Sequence, residues 1–191
     1  MPVRLLLRSL GCVVLSILLF APAATAAPSA SRAHAATAVC PGANTVPTAE
    51  NLGAVRAAID CLHSRIRAQH GLPLLVESNR LGRAATAHSA DMVAHRYFEH
   101  TTPSGTTLLD RLIGGSYLRG SQNWSLGENL AWGTGTQSTA ASIMRGWMAS
   151  PGHRANILRR DYRELGVGIV AAVPSDGTAG ATFTADFGVR H

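Results

Sequence analysis

The chain has 191 residues, 46% of them apolar, and carries 17 basic against 11 acidic side chains for a net charge of +6. Every basic residue other than histidine is an arginine, and only Arg159 and Arg160 are adjacent. The stripe of positive charge that follows a phosphate backbone is therefore missing, which argues against a nucleic-acid partner.

The first residues have the form of an export signal. Arg4 and Arg8 precede an apolar run from Leu10 to Phe20, and Ala24-Thr25-Ala26 supplies the small-residue exit. This pattern predicts a signal peptide over 1–26, cleaved after Ala26. The run is shorter than the ~20 apolar residues that span a bilayer, and most of it follows Cys12, which argues against lipoprotein processing. No other segment is apolar enough to cross a membrane. The expected product is secreted, extracellular or associated with the cell wall, and monomeric.

Residues 27–46, rich in Ala, Ser, Thr and Pro, are expected to be a flexible leader. Residues 47–191 have the usual size of one domain. Cys40 and Cys61 are the two cysteines left after cleavage. In an oxidising compartment they are expected to pair as a disulfide, the alternative being two free thiols.

Leu52, Val55, Ile59, Leu62 and Ile66 repeat at helical spacing, and Gly71 marks a helix stop. Asn79 is a candidate N-cap for a second helix with Leu81, Ala85, His88 and Met92 on its inner face. His88 reads either as a packed histidine bound to backbone or as a ligand. Thr101–Gly105 is a turn, a short helix is predicted over 107–113, and residues 116–127 read as irregular. A helix over 138–148 follows, with Ala140, Ile143 and Trp147 inward. Ser150-Pro151 then starts another helix, with Ser150 as N-cap. Leu165–Val173 reads as a strand. Phe183, Ala185, Phe187 and Val189 alternate with Thr182, Thr184 and Asp186, predicting a second strand with one buried face, paired with the first as an antiparallel hairpin. Helices first and strands last indicate an α+β domain.

Three side chains stand out by their settings: His100 before a turn, Glu128 in what reads as a loop, and His153 at a helix start. Their spacing lacks the local geometry of a His-Glu-x-x-His zinc helix. Trp124 and Trp132 bracket Glu128, as cleft walls or as packed residues.

Phe98-Glu-His100 with Pro103-Ser-Gly105, Gly127-Glu-Asn-Leu-Ala131, Trp147-Met-Ala-Ser-Pro-Gly-His-Arg-Ala-Asn-Ile-Leu158, Leu165-Gly-Val-Gly168 and Phe183-Thr-Ala-Asp-Phe-Gly188 occur in one order. Together they resemble the CAP superfamily of cysteine-rich secretory, antigen 5 and pathogenesis-related 1 proteins, in its bacterial SCP-like branch. The resemblance implies a three-layer α-β-α sandwich with a small antiparallel sheet between helical layers. It also implies a cleft of two histidines and two acids, here His100, Glu128 and His153, with Ser150 where eukaryotic relatives place the second acid. His100, His153 and Glu128 are the candidate ligands for a weakly bound divalent metal such as zinc, which accepts two imidazoles and a carboxylate and leaves a position for water. The contrary expectation is that Glu128 only orients the histidines. The first functional reading is a non-enzymatic binding module for an extracellular lipid, glycan, protein or cell-wall component. A structural envelope-interaction protein and a metal-dependent hydrolase or peptidase are the alternatives.

Overall fold

The computed structural model describes residues 30–175 and 179–191, so the expected signal peptide lies outside the described residues. Helix α1 (Ala30–Thr37) falls in the stretch 27–46 expected to be a flexible leader, and touches α2 (Leu52–Gln69). The apolar stripe of α2 buries Val55 and Ile59 fully and packs Leu52, Leu62 and Ile66 at the core margin. Gly71 ends the element with φ of +65°, a conformation that favours glycine. The Cys40–Cys61 disulfide forms and fastens the stretch before α2 to the helix itself.

After β1 (Val76–Glu77), α3 (Asn79–His95) buries Leu81, Ala85, His88 and Met92. Its N-cap is Ser78 and not the expected Asn79. Ser78 is still extended, because its N–H bonds the Leu165 carbonyl at 2.8 Å, and the helix starts immediately after. Helix α4 (Leu108–Gly114) opens with a reciprocal capping box between Thr107 and Asp110. Strand β2 (Trp124–Thr134) is followed by a 3₁₀ turn (Gly135–Ser138), α5 (Ala140–Ala149), α6 (Pro151–Leu158), β3 (Glu164–Val170) and β4 (Gly180–Arg190).

The sheet order is β1-β3-β4-β2. The expected β3–β4 hairpin is present, and β2 pairs antiparallel with β4 over its whole length. Only the two-residue β1 runs parallel to its neighbour. Helix α3 packs on β3 and β4, while α2, α5 and α6 pack together and against the sheet, giving the expected α-β-α layers. The main core lies under α2, α5 and α6; a smaller cluster of Leu81, Ala84, Leu112, Tyr117 and Leu118 lies under α3 and α4.

Two expectations change. Strand β4 is buried on both faces, not one, because it sits inside the sheet with helices on either side. Glu128 lies in a strand and not in a loop. The glycines that make β2 read as a loop have steric work. A Cβ on Gly127 would stand 2.3 Å from the Tyr162 hydroxyl, and one on Gly133 would stand 2.7 Å from the Gln137 carbonyl.

As the outer strand, β2 exposes its carbonyls to pairing with other chains. Trp147 Nε1–H donates to the Leu130 carbonyl at 3.0 Å and Asn156 Nδ2–H to the Glu128 carbonyl at 3.2 Å, so α5 and α6 cover that edge.

Candidate functional site

Helix α3 ends on Arg96, whose φ of +55° turns the chain back so that residues 97–100 pass beside the sheet. This brings His100 to Glu128, in the middle of β2. His100 Nδ1–H donates to Glu128 Oε1 at 2.8 Å. The Glu128 side chain is 3% exposed and that of His100 58% exposed, so a buried carboxylate orients a surface imidazole.

Arg111, on α4, completes the arrangement. It donates to Glu128 Oε2 at 2.5 Å and to the His100 carbonyl at 3.0 Å. One guanidinium therefore holds the acid and the backbone of its histidine partner. Burial pushes the Glu128 pKa up, but the His100 hydrogen bond, Arg111 and the nearby His88 outweigh it, and the group stays ionised below its usual range. The same hydrogen bond raises the His100 pKa against the effect of burial.

His153 joins through backbone. Asn129 Nδ2–H donates to the His153 carbonyl at 3.0 Å, and Asn156 Nδ2–H donates to Asn129 Oδ1 at 2.8 Å. Burial lowers the His153 pKa, and the charge of His100 lowers it further. Ser150 stands at the expected N-cap position with Pro151 in the first turn, but its side chain makes no cap bond. His88 has its bland role: Nε2–H donates to the Glu99 carbonyl at 3.0 Å, with Glu128 Oε2 4.0 Å away.

Two members of the network were not anticipated. Arg111 is one arginine among many in a short helix, with no sequence pattern to mark it. Asp186 faces Glu128 across β2 and β4 and is fully buried. Burial first, and then the Glu128 charge, push its pKa well above the carboxylate range, so the proton sits on Asp186 and the charge on Glu128. An acid inside an apolar alternating strand is the signal that marks it.

The donor set does not fit a three-ligand zinc centre of His100, His153 and Glu128. Both Glu128 oxygens are engaged and a guanidinium stands where a dication would be repelled, so Glu128 is not the third ligand. The Nδ1–H bond of His100 to that carboxylate leaves its Nε2 open, as in the outer shell of metal-binding histidines. Among the described residues no group of three or more His, Cys, Asp or Glu side chains is placed to hold a metal ion.

An α-β-α sandwich in which a carboxylate on one strand orients a histidine from the loop after α3, and a second histidine is delivered by a Ser-Pro-Gly-His helix, defines a class of domains. Residues 62–186 match the model of the cysteine-rich secretory protein family, CAP, and the chain belongs to that family. It is 36% identical over 106 residues to the uncharacterized protein YkwD of Bacillus subtilis, covering 54% of this chain and 38% of that protein. A second B. subtilis protein, the uncharacterized membrane protein YlbC, is 36% identical over 104 residues, 54% of this chain and 28% of its own. The match thus takes in well under half the length of these curated relatives. Among solved structures, an extracellular protein with an SCP domain from Bacillus anthracis superposes with a TM-score of 0.56 at 32% identity, covering 74% of this chain and 43% of that one. An outer surface protein of Borrelia burgdorferi has the same fold, with a TM-score of 0.57 at 21% identity over 76% of this chain and 97% of its own.

Proposed function

We infer that this chain is a secreted CAP module that binds an extracellular ligand on the surface carrying His100 and His153. The observation that supports this reading is the saturation of Glu128. With both oxygens held by His100 and Arg111, the carboxylate is not free to be a general base or a metal ligand. What the site offers outward is the His100 imidazole, oriented by the buried Glu128, with His153 held through its backbone carbonyl, a recognition surface. The three larger cavities are lined by neither His100 nor His153, and His100 is 58% exposed, which supports a ligand that meets an open face. Export is supported by the basic, apolar and small-residue sequence over 1–26 and by the extracellular and outer-surface descriptions of two proteins with this fold. No described helix is long and apolar enough to cross a membrane. The organisation that follows is a signal over 1–26, a leader over 27–46 and the CAP domain over 47–191.

The test is to express the full chain in a bacterial secretion host, sequence the N-terminus of the exported form, and sediment it with purified cell-wall sacculi. The reading expects an N-terminus at Ala27 and co-sedimentation that is lost in a His100→Ala/His153→Ala double variant. Retention of the unprocessed chain in the cell overturns export. Unchanged sedimentation of the folded double variant overturns the assignment of the surface.

A further inference from the structure

Trp124 lies four residues before Glu128 on the same face of β2, and is 44% exposed. It forms a wall of a cavity of about 300 Å³ together with Ile113, Ser116, Leu118, Arg119 and Ser121. The cavity adjoins the histidine surface through α4, which sends Arg111 to Glu128 and Ile113 into the cavity.

Its chemistry is specific in kind. An indole plate and two aliphatic side chains supply apolar surface, two hydroxyls supply hydrogen-bonding groups, and Arg119 supplies a positive charge with no acid among the lining residues. A ligand that satisfies all three has a flat C–H face, a rim of hydroxyls and a negative charge. The volume lies at the bottom of the range of about 300–1,000 Å³ usual for ligand pockets, which suits one ring and not an acyl chain.

The walls are also fixed before any ligand arrives. Ser116 has φ of +60°, a left-handed conformation that a non-glycine residue holds only where its surroundings impose it. The next residue imposes it here. Tyr117 is fully buried, its N–H bonds the Leu112 carbonyl at 2.9 Å, and its hydroxyl donates to Glu164 at 2.6 Å. The Arg190 guanidinium covers its ring at 4.8 Å. Gly188 makes room for it, since a Cβ there would stand 2.2 Å from the Tyr117 hydroxyl. Ser116 is thereby aimed so that Arg119 donates to its Oγ at 3.4 Å, bringing hydroxyl and guanidinium together at the cavity.

We propose that this cavity is a subsite for a pyranose ring bearing a carboxylate, as a unit of an acidic extracellular glycan. The indole of Trp124 stacks on the C–H face of the ring, Ser116 and Ser121 meet its hydroxyls, and Arg119 pairs with the carboxylate. The proposal rests on the binding reading above for the extracellular setting of the ligand, but its residues are separate from His100 and His153.

The experiment titrates the secreted protein with glucuronic acid, N-acetylmuramic acid and neutral N-acetylglucosamine, followed by tryptophan fluorescence and saturation-transfer NMR. Saturable binding of at least one acidic sugar is expected, with the neutral sugar about tenfold weaker, the scale of one charge-assisted hydrogen bond at a wet site. Trp124→Ala removes the fluorescence response and the binding; because the side chain is partly exposed, circular dichroism is expected to show an intact fold. Arg119→Gln erases the preference for acid over neutral sugar. His100→Ala/His153→Ala leaves sugar binding unchanged, so failure of the histidine surface and failure of this cavity are read separately. An oligomer containing the acidic unit binds more tightly than the monosaccharide if the ligand is a glycan chain; an oligomer that does not bind overturns that assignment. Absence of saturable binding, equal binding of the neutral sugar, or binding that survives Trp124→Ala overturns the proposal.

Discussion

Asn156 Nδ2 lies 2.8 Å from Asn129 Oδ1, and this contact makes one unit of two motifs that stand far apart in the chain. Asn156 belongs to α6, which carries His153; Asn129 follows Glu128 on β2. Because Asn129 in turn donates to the His153 carbonyl, the second histidine is positioned through an amide pair and not through the glutamate. Asn129→Ala removes the donor to the His153 carbonyl and leaves the Asn156 amide with its 3.2 Å bond to the Glu128 carbonyl alone. A loss of about 1–3 kcal/mol is expected, the cost of stranding buried polar groups. Urea denaturation measures it, and an unchanged midpoint would show that water replaces the amide without penalty.

The Arg111–Glu128 pair carries the argument against a three-ligand metal centre, and it can be tested by removing the cation. Arg111→Ala leaves a buried carboxylate without its counter-charge, so stability should fall by about 3–5 kcal/mol. It also frees Glu128 Oε2. Zinc affinity, measured by calorimetry on metal-free protein, should therefore rise by at least about tenfold over the parent, an allowance for one added carboxylate ligand. Tight one-to-one zinc binding by the parent, lost in His100→Ala/His153→Ala, would mean that Arg111 moves aside and that the metal reading must be restored.

The histidine that Glu128 orients gives a separate readout. The His100 pKa is raised chiefly by its hydrogen bond to Glu128. Glu128→Gln removes that charge, so the NMR titration midpoint of the His100 ring should move down. The stability contributed by the raised pKa is present below the unfolded value and lost as pH rises through the folded one. An unmoved midpoint would mean that the contact does not persist in solution.

The helices and the final hairpin were legible because their apolar residues follow periods that packing requires. The middle of the site was not. Strand β2 carries Glu128 and Asn129, consecutive buried polar residues, between glycines kept bare by Tyr162 and Gln137, and these features together resemble a loop. Arg111 was invisible because its role depends on a partner seventeen positions away in sequence. Asp186 falls on the polar side of an alternating strand pattern, although that face is covered by α3. Motif resemblance placed His100, Glu128 and His153 on one domain; only the packing shows which atoms meet.

The two glycines of Leu165-Gly-Val-Gly168 illustrate a signal that was visible without its cause. A Cβ on Gly168 would lie 2.1 Å from the Thr86 backbone nitrogen, and one on Gly166 would lie 2.1 Å from that of Gly82. Helix α3 thus rests with its backbone directly on β3. Neither backbone yields as a flexible side chain would, so Gly168→Ala is expected to cost at least about 3 kcal/mol, the upper part of the usual overpacking range. Thermal unfolding of the variant checks this, with Gly53→Ala, which meets nothing nearby, as the control.

His63, which is fully buried between Trp147 and Phe187, should contribute strongly to the pH dependence of folding on its acid side. Its Nδ1–H donates to the Ile59 carbonyl at 2.9 Å, while Nε2 is buried with no hydrogen-bond partner among the described residues. Burial pulls its pKa down from 6.5 to about 4. The neutral ring is therefore the folded form, and its contribution is full above the unfolded value of 6.5 and lost as pH falls from there through about 4. The difference corresponds to about 3 kcal/mol. Asp60, one turn earlier, works in the opposite sense: burial, and then Glu77, push its pKa up to about 6, so its contribution is present below 3.8 and lost as pH rises through about 6. The parent curve between pH 4 and 6.5 is thus a difference of two slopes. His63→Phe keeps an aromatic ring in the Trp147–Phe187 pocket and removes the titrating group, leaving the slope of Asp60. Urea midpoints across this range should therefore fall less steeply on acidification in His63→Phe than in the parent, or rise. Parallel curves for the two proteins would mean that His63 is already charged, or already open to water, in the folded state.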